Sequence, residues 1–315
     1  MSETFNPESI RSVHLVPLTA YNSDGQIDVE KQAAHVSRMY SAGMRVFMTA
    51  AGTSEFHNLS ADEIVELIQI NREASGPDAK IFAPVGLQLS FAQEVAQRSL
   101  AAGATGIMFM PFAHPYMSDA GAKDYYEAVI DKAQCPTLIY KKAGIPSDGL
   151  LLEMSKNPHV VGIKYAENEM NQFRSVTLED NFQIEWLCGS AERYAPYYML
   201  AGATGFTTGA GNLCPNIVLA MHAAFSAGEF SEGMRLQQII LPIENYRARC
   251  GDSYNISMLK HGMKILGHDM GEARAPQRRL TATEEQEIET LLQPILAAEA
   301  EMQSEMSSVG LSAST

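Results

Sequence analysis

Short β-rich apolar runs alternate with longer amphipathic stretches along most of this chain, and no other feature narrows its fold as much. Strand-like runs fall at Val13–Leu18, Arg45–Ala50, Ile81–Val85, Gly106–Met110, Pro136–Tyr140, Val160–Tyr165, Ile184–Cys188 and Gly205–Thr208, eight in all. Between them lie helical patterns with start and stop signals. Asp28 through Ala42 ends at Gly43, a suitable C-cap, and Ser60-Ala61-Asp62-Glu63 spells a capping box before Ile64, Leu67 and Ile68. Further helices are expected at Ser90–Ala102, Asp119–Ala133, Leu150–Lys156, Glu192–Ala201 and Pro215–Ala227. Strand–helix alternation without a long break requires parallel strands joined by right-handed crossovers. Eight such units predict an α/β fold of the closed (β/α)8 TIM-barrel type over residues 10–228. An open doubly wound sheet is the alternative, but the first strand–helix turn carries neither a G-x-G-x-x-G motif nor a P-loop.

After Gly228 the pattern turns purely helical, near Glu229–Cys250, Ser253–Leu266 and Thr281–Met302, which predicts a C-terminal helical extension over 229–303 packed on the barrel. The Ser-rich stretch 304–315 is expected to fray.

Composition limits the function classes. Lys plus Arg number 23 against 37 Asp plus Glu, a formal charge of -14, which would repel a phosphate backbone and speaks against nucleic acid as a partner. Cys135, Cys188, Cys214 and Cys250 are far apart and form neither a C-x-x-C pair nor a zinc-ligand spacing, so no metal site is expected. The N-terminus has no basic start followed by an apolar run, and no stretch of about 20 apolar residues could span a bilayer, so a cytoplasmic protein with no membrane partner is expected.

In such a barrel, chemistry sits at the C-terminal ends of the strands. Lys164, closing Val160-Val161-Gly162-Ile163-Lys164-Tyr165, follows four apolar residues and so directs its amine into a largely apolar mouth, where burial favours the neutral, nucleophilic form. Taken alone, the same lysine would equally suit snorkelling to solvent. Tyr140, at the end of the preceding strand, tips the balance, because neighbouring barrel strands bring their last residues within reach and a phenol there can pass protons beside the amine. Gly52-Thr53-Ser54-Glu55-Phe56, between the second strand and a capped helix, offers amides and hydroxyls suited to a carboxylate. Without the lysine it would read as an ordinary loop of small residues.

Together these residues resemble the dihydrodipicolinate synthase and N-acetylneuraminate lyase superfamily of Schiff-base aldolases and dehydratases. Pro17-Leu18-Thr19-Ala20-Tyr21 with Asp24-Gly25 is similar to its first-strand motif, Gly52-Thr53-Ser54-Glu55 to its carboxylate loop, Leu138-Ile139-Tyr140 to its strand-five tyrosine and Gly162-Ile163-Lys164 to its Schiff-base lysine. Gly189-Ser190, Gly205 and Gly211-Asn212 fall where that family has later glycine turns. The resemblance implies a small 2-keto acid substrate, Lys164 as nucleophile, Tyr140 as proton relay, and Gly52, Thr53, Ser54, Gly189, Ser190 and Gly209 around the substrate. It also implies a homotetramer and no cofactor, since the imine itself holds the electrons.

Departures narrow the choice within the family. Where dihydrodipicolinate synthases carry a relay tyrosine and a carboxylate-binding arginine, this chain has Pro111-Phe112-Ala113 and Ile145. The Gly-Thr-x-Glu-Phe loop, and Arg274-Ala275-Pro276 near the last helix, are closer to the 5-dehydro-4-deoxyglucarate dehydratases. Ser54 and Lys141-Lys142 match no subfamily pattern. The expected reaction is dehydration of a keto-deoxy sugar acid, with or without decarboxylation; aldol cleavage releasing pyruvate and a silent keto-acid-binding member are the alternatives. Glu167, Lys141, Lys142, Ser190 and Glu192 are candidates for reading distal hydroxyls or a second carboxylate.

Overall fold

The computed structural model describes residues 5–111, 114, 116–181 and 183–312. Its centre is a closed, all-parallel barrel in which each strand pairs with the next and β8 returns to β1. The strands are β1 (Val13–Leu15), β2 (Val46–Phe47), β3 (Lys80–Val85), β4 (Gly106–Phe109), β5 (Thr137–Lys141), β6 (Val160–Tyr165), β7 (Glu185–Cys188) and β8 (Gly205–Thr208). The expected barrel is therefore borne out and the open sheet excluded. β1 and β2 are shorter than expected: after one further bond each, Val16 N to Thr208 O at 3.1 Å and Met48 N to Leu15 O at 2.7 Å, the chain leaves the ladder at the mouth.

Seven helices bridge successive strands: α1 (Val29–Ser41), α2 (Ala61–Ala74), α3 (Leu89–Ala101), α4 (Asp119–Ala133), α5 (Asp148–Met154), α6 (Met170–Glu179) and α7 (Ala191–Leu200). Side chains set several of their starts: Asp28 caps α1, Ser118 caps α4, Ser147 caps α5, and Ser60 with Glu63 forms the reciprocal capping box of α2. Helix α6 is absent from the sequence reading for a physical reason. Its N-cap, Glu169, makes no side-chain capping bond, and it buries only Phe173, Val176 and Thr177.

Helix α8 (Pro215–Ser226) closes the barrel, and α9 (Phe230–Arg247), the short α10 (Arg249–Asp252), α11 (Ser257–Ile265) and α12 (Ala282–Ser312) form the extension. α9 lies on α7 and α8, and α12 on α8, α9 and α11, so the extension packs on its own barrel. The last helix continues past Met302 to Ser312, which places most of the expected frayed tail in helix. Within α12 the Glu299 carboxylate accepts from the amides of Asn216 and Ile217 at 2.9 and 3.0 Å, supplying the capping acceptor that the N-terminus of α8 otherwise lacks.

A second tie runs to the mouth. Glu55, in the left-handed region between two short 3-10 turns, pairs with buried Lys260 of α11 at 3.2 Å and accepts from the Arg274 amide at 2.8 Å. Lys260 Nζ and Arg274 Cζ both lie over the Tyr21 ring, at 4.2 and 4.3 Å. Arg274 is thus spent on tying the extension to the first two strand–helix loops.

Candidate active site

Register places the two principal residues side by side. Tyr140 and Lys164 are direct partners across β5 and β6, and partners in a parallel ladder point to the same face of the sheet. The Lys164 amine lies 3.8 Å from the centroid of the Tyr140 ring, and the lysine as a whole is 5% exposed. Burial, with a smaller contribution from the nearby positive charge of Lys142, lowers its pKa to about 7. At neutral pH roughly half of such amines are free base, against about one in several thousand for an unperturbed lysine.

Two buried groups near the amine, His14 and Cys188, carry no charge at neutral pH. His14 of β1, buried beneath it, has its pKa lowered to about 4 by burial and stays neutral; its Nε2 bonds to Ile10 O at 2.7 Å. Cys188, at the end of β7, is buried, and desolvation pushes its thiol up, which keeps it protonated. The Tyr140 phenol is pushed up chiefly by burial, then by Cys188 and by Asp252 of α10. At ordinary pH the phenol is therefore protonated and neutral. Asp252 enters because Cys250, Gly251 and Asp252 all adopt left-handed dihedrals, bending the chain between α9 and α11 toward the mouth.

Gly189 is required by the lysine itself: a Cβ there would meet Lys164 Cγ at 2.9 Å and Ala166 Cβ at 3.0 Å. Ser190 directs its hydroxyl to Ala166 O at 3.4 Å, closing the β6 and β7 loops together. Gly209, after β8, faces a different partner, because a Cβ would fall 2.2 Å from Arg247 Nη2. Arg247 is held in turn by Glu244 and by Asn255, whose Oδ1 accepts at 2.5 Å. Gly209 therefore makes room for a guanidinium of the extension.

The Gly52–Ser54 turn follows β2, which lies across the barrel from β6, so this loop overhangs the mouth opposite the amine. Its three residues are not equivalent. Ser54 is buried, its hydroxyl donates to Pro17 O, and its carbonyl accepts from Thr19 Oγ1 at 2.7 Å. Gly52 is exposed with open space beside it, and the part-buried Thr53 uses its hydroxyl in none of the described hydrogen bonds. The Ser54 side chain is thus a strut within the loop.

Of the distal candidates, Lys141 is 2% exposed and pairs with Glu167 at 3.1 Å. Glu192 is fully buried, bonded to Thr208, and raised well above the usual carboxylate range by desolvation and then by Glu244. Lys142 stays exposed. Ile145 packs against the core, and Phe112, Ala113 and Pro115 lie outside the described residues. Among the described residues no group of three or more His, Cys, Asp or Glu is arranged to hold a metal ion. An apolar cavity of about 620 Å³ opens beside the mouth between Phe56, Leu87, Met110, Tyr116 and Tyr125, but neither Lys164 nor Tyr140 lines it. Sequence reasoning missed His14, hidden in an apolar strand, and Asp252, which nothing local connects to the mouth.

A parallel eight-stranded barrel with a buried, partly deprotonated lysine beside a tyrosine at its C-terminal face defines a class of barrel lyases that act on small keto acids. The sequence model of the dihydrodipicolinate synthetase family matches residues 9–295, and the chain belongs to that family. A probable 5-dehydro-4-deoxyglucarate dehydratase of Ralstonia nicotianae is 28% identical over 88% of this chain and 90% of its own length. A 5-dehydro-4-deoxyglucarate dehydratase of Pseudomonas putida is 24% identical, covering 92% of this chain and 99% of that protein. Among solved structures, the dihydrodipicolinate synthase of Bacillus clausii superposes with a TM-score of 0.87 at 31% identity, over 91% of this chain and 98% of that one. The expected kinship, with the dehydratase-named relatives prominent, is borne out.

Proposed function

We propose that the protein is a class I lyase that forms a Schiff base between Lys164 and the ketone of a keto-deoxy sugar acid and dehydrates it, with 5-dehydro-4-deoxyglucarate as the leading substrate. The observation that carries this reading is the buried Lys164 amine, with its pKa near 7, stacked over Tyr140. The neutral amine adds to the carbonyl carbon, and the resulting carbinolamine loses water to give an iminium. Tyr140 carries the protons for both steps. The iminium acidifies the adjacent carbon; loss of a proton there gives an enamine, whose electrons expel the hydroxyl one carbon further along as water, with Tyr140 returning a proton to the leaving group, and water then hydrolyses the product iminium to free Lys164. Thr53 and the amides of the Gly52–Ser54 turn hold the carboxylate next to the ketone, while Gly189 and Ser190 shape the wall behind the lysine.

Dehydration is preferred to aldol cleavage because the relatives named above as dehydratases match over nearly the whole chain. Incubation with 5-dehydro-4-deoxyglucarate, followed by proton and carbon NMR, tests the assignment. Loss of water, with or without CO₂, is expected; release of pyruvate would reassign the enzyme as an aldolase, and unchanged substrate would remove this compound.

The same reading includes a cytoplasmic homo-oligomer, a tetramer by family resemblance. Phe109, at the end of β4, is 1% exposed and packs edge-on against Tyr126 at 4.6 Å, so it contributes no surface. Tyr116 is 89% exposed, and Leu87 and Leu89 stand out beside it, which supplies an apolar patch for self-association. Sedimentation at micromolar concentration should give a multiple of 34.4 kDa; a monomer mass would refute the assembly.

A further inference from the structure

We propose that Lys142 is the specificity residue for the far end of the substrate, binding a second carboxylate, so that the site selects keto diacids over keto acids with an uncharged tail. This rests on the Schiff-base reading above and deepens it. Strand alternation provides the first argument. Tyr140 and Lys164 face the mouth, whereas Lys141, one residue on, turns the other way, toward the Tyr165 ring 5.7 Å from its amine. The ladder continues one step further, where the Ala166 amide donates to Lys141 O at 2.9 Å. By the same alternation Lys142 leaves the strand on the same side as Tyr140, near enough for its charge to act on Lys164.

Its position is fixed from behind. Buried Lys141 donates to Ala143 O at 3.1 Å and Pro146 O at 2.8 Å, and pairs with Glu167 at 3.1 Å and Asp148 at 3.7 Å. That one ammonium shapes the 142–147 loop and ties it to the loop after β6. Lys142 itself makes no hydrogen bond or ion pair among the described residues and is exposed. A cation held at the rim by a buried knot, left unpaired, and close enough for its charge to be felt at Lys164 is arranged to meet an anion that arrives with the substrate. Of the five residues that the sequence offers for the distal end, Lys141, Glu167 and Glu192 are already engaged with partners inside the protein, and Ser190 is turned to Ala166 O.

The test uses two keto acids that share the reacting end, pyruvate and 2-oxoadipate, and reads the concentration of each that gives half-maximal borohydride-trapped adduct on Lys164. Replacing Lys142 also makes Lys164 harder to deprotonate, which handicaps both probes alike, so the ratio between them is the readout. Lys142→Gln should weaken 2-oxoadipate relative to pyruvate by about 10-fold, the effect of one ordered charge contact of roughly 1.4 kcal/mol. Lys142→Arg should restore most of the ratio. In the parent protein the preference should shrink as salt is raised, as for any exposed charge contact. A ratio that stays within twofold in Lys142→Gln overturns the inference while leaving the imine intact. Absence of adduct in the parent with either acid overturns the Schiff-base reading and this one with it.

Discussion

Replacing Lys164 by Met should abolish imine formation and, at the same time, make the protein more stable, by an amount that depends on pH in a defined way. The amine titrates near 7 in the fold, against the ordinary lysine value of 10.5 in an unfolded chain. Between those values the unfolded state binds more protons, so parent stability rises with pH across that window; below about 7 the full cost of burying the ammonium is present. At about 1.36 kcal/mol per unit, the lysine costs the fold about 4 kcal/mol at pH 7 and about 2 kcal/mol at pH 9. Met has similar length and no charge to desolvate, so Lys164→Met should recover most of that. Urea unfolding of both proteins at the two pH values measures it: the stability gain should roughly halve between pH 7 and pH 9. A gain that does not change with pH, or a loss at both, would refute the claim that burial depresses this amine.

Three further outcomes are expected. Tyr140→Phe keeps the ring under the amine and removes the proton carrier, so turnover should fall by about 10²-fold or more with unchanged circular dichroism; parent-like turnover would assign the proton transfers elsewhere. Glu55→Gln leaves the Lys260 ammonium buried without its carboxylate. That should cost about 3 kcal/mol in urea unfolding, and an unchanged midpoint would mean the extension is held by other contacts. With Ile145 standing where a carboxylate-binding arginine is expected in the lysine-pathway enzymes, purified protein should not condense pyruvate with aspartate semialdehyde; efficient condensation would show that this loop is misaligned.

Much of this molecule is written in local signals. The eight apolar runs each form a strand because a closed parallel sheet is buried on both faces and so takes continuous apolar runs, and the capping box at Ser60 and Glu63 is present. Lys164 and Tyr140 were visible because position at a strand end fixes their direction. What stayed hidden depends on partners distant in sequence. Nothing near Ser54 in sequence shows that its hydroxyl is taken by Pro17 O. Nothing near Gly209 in sequence shows that Arg247, from α9, fills the space its missing side chain leaves. Lys141 and Lys142 look alike in sequence, yet one-residue alternation sends the first into an ion-pair knot and leaves the second at the rim. Helix α6 escaped because it lacks a capping side chain and carries only a narrow apolar stripe.

The central claim is that Lys164 is the imine-forming nucleophile, and borohydride reduction in the presence of a keto acid, followed by peptide mapping, tests it most directly. Lys260 is a built-in control, since burial lowers its pKa to about 8 but Glu55 holds its amine at 3.2 Å. With pyruvate at neutral pH the account predicts one stable adduct per chain, on the peptide containing Lys164, absent in Lys164→Met and growing with pH around a midpoint near 7. An adduct on Lys260 or another lysine, or no adduct with pyruvate or any keto-deoxy sugar acid, would contradict it.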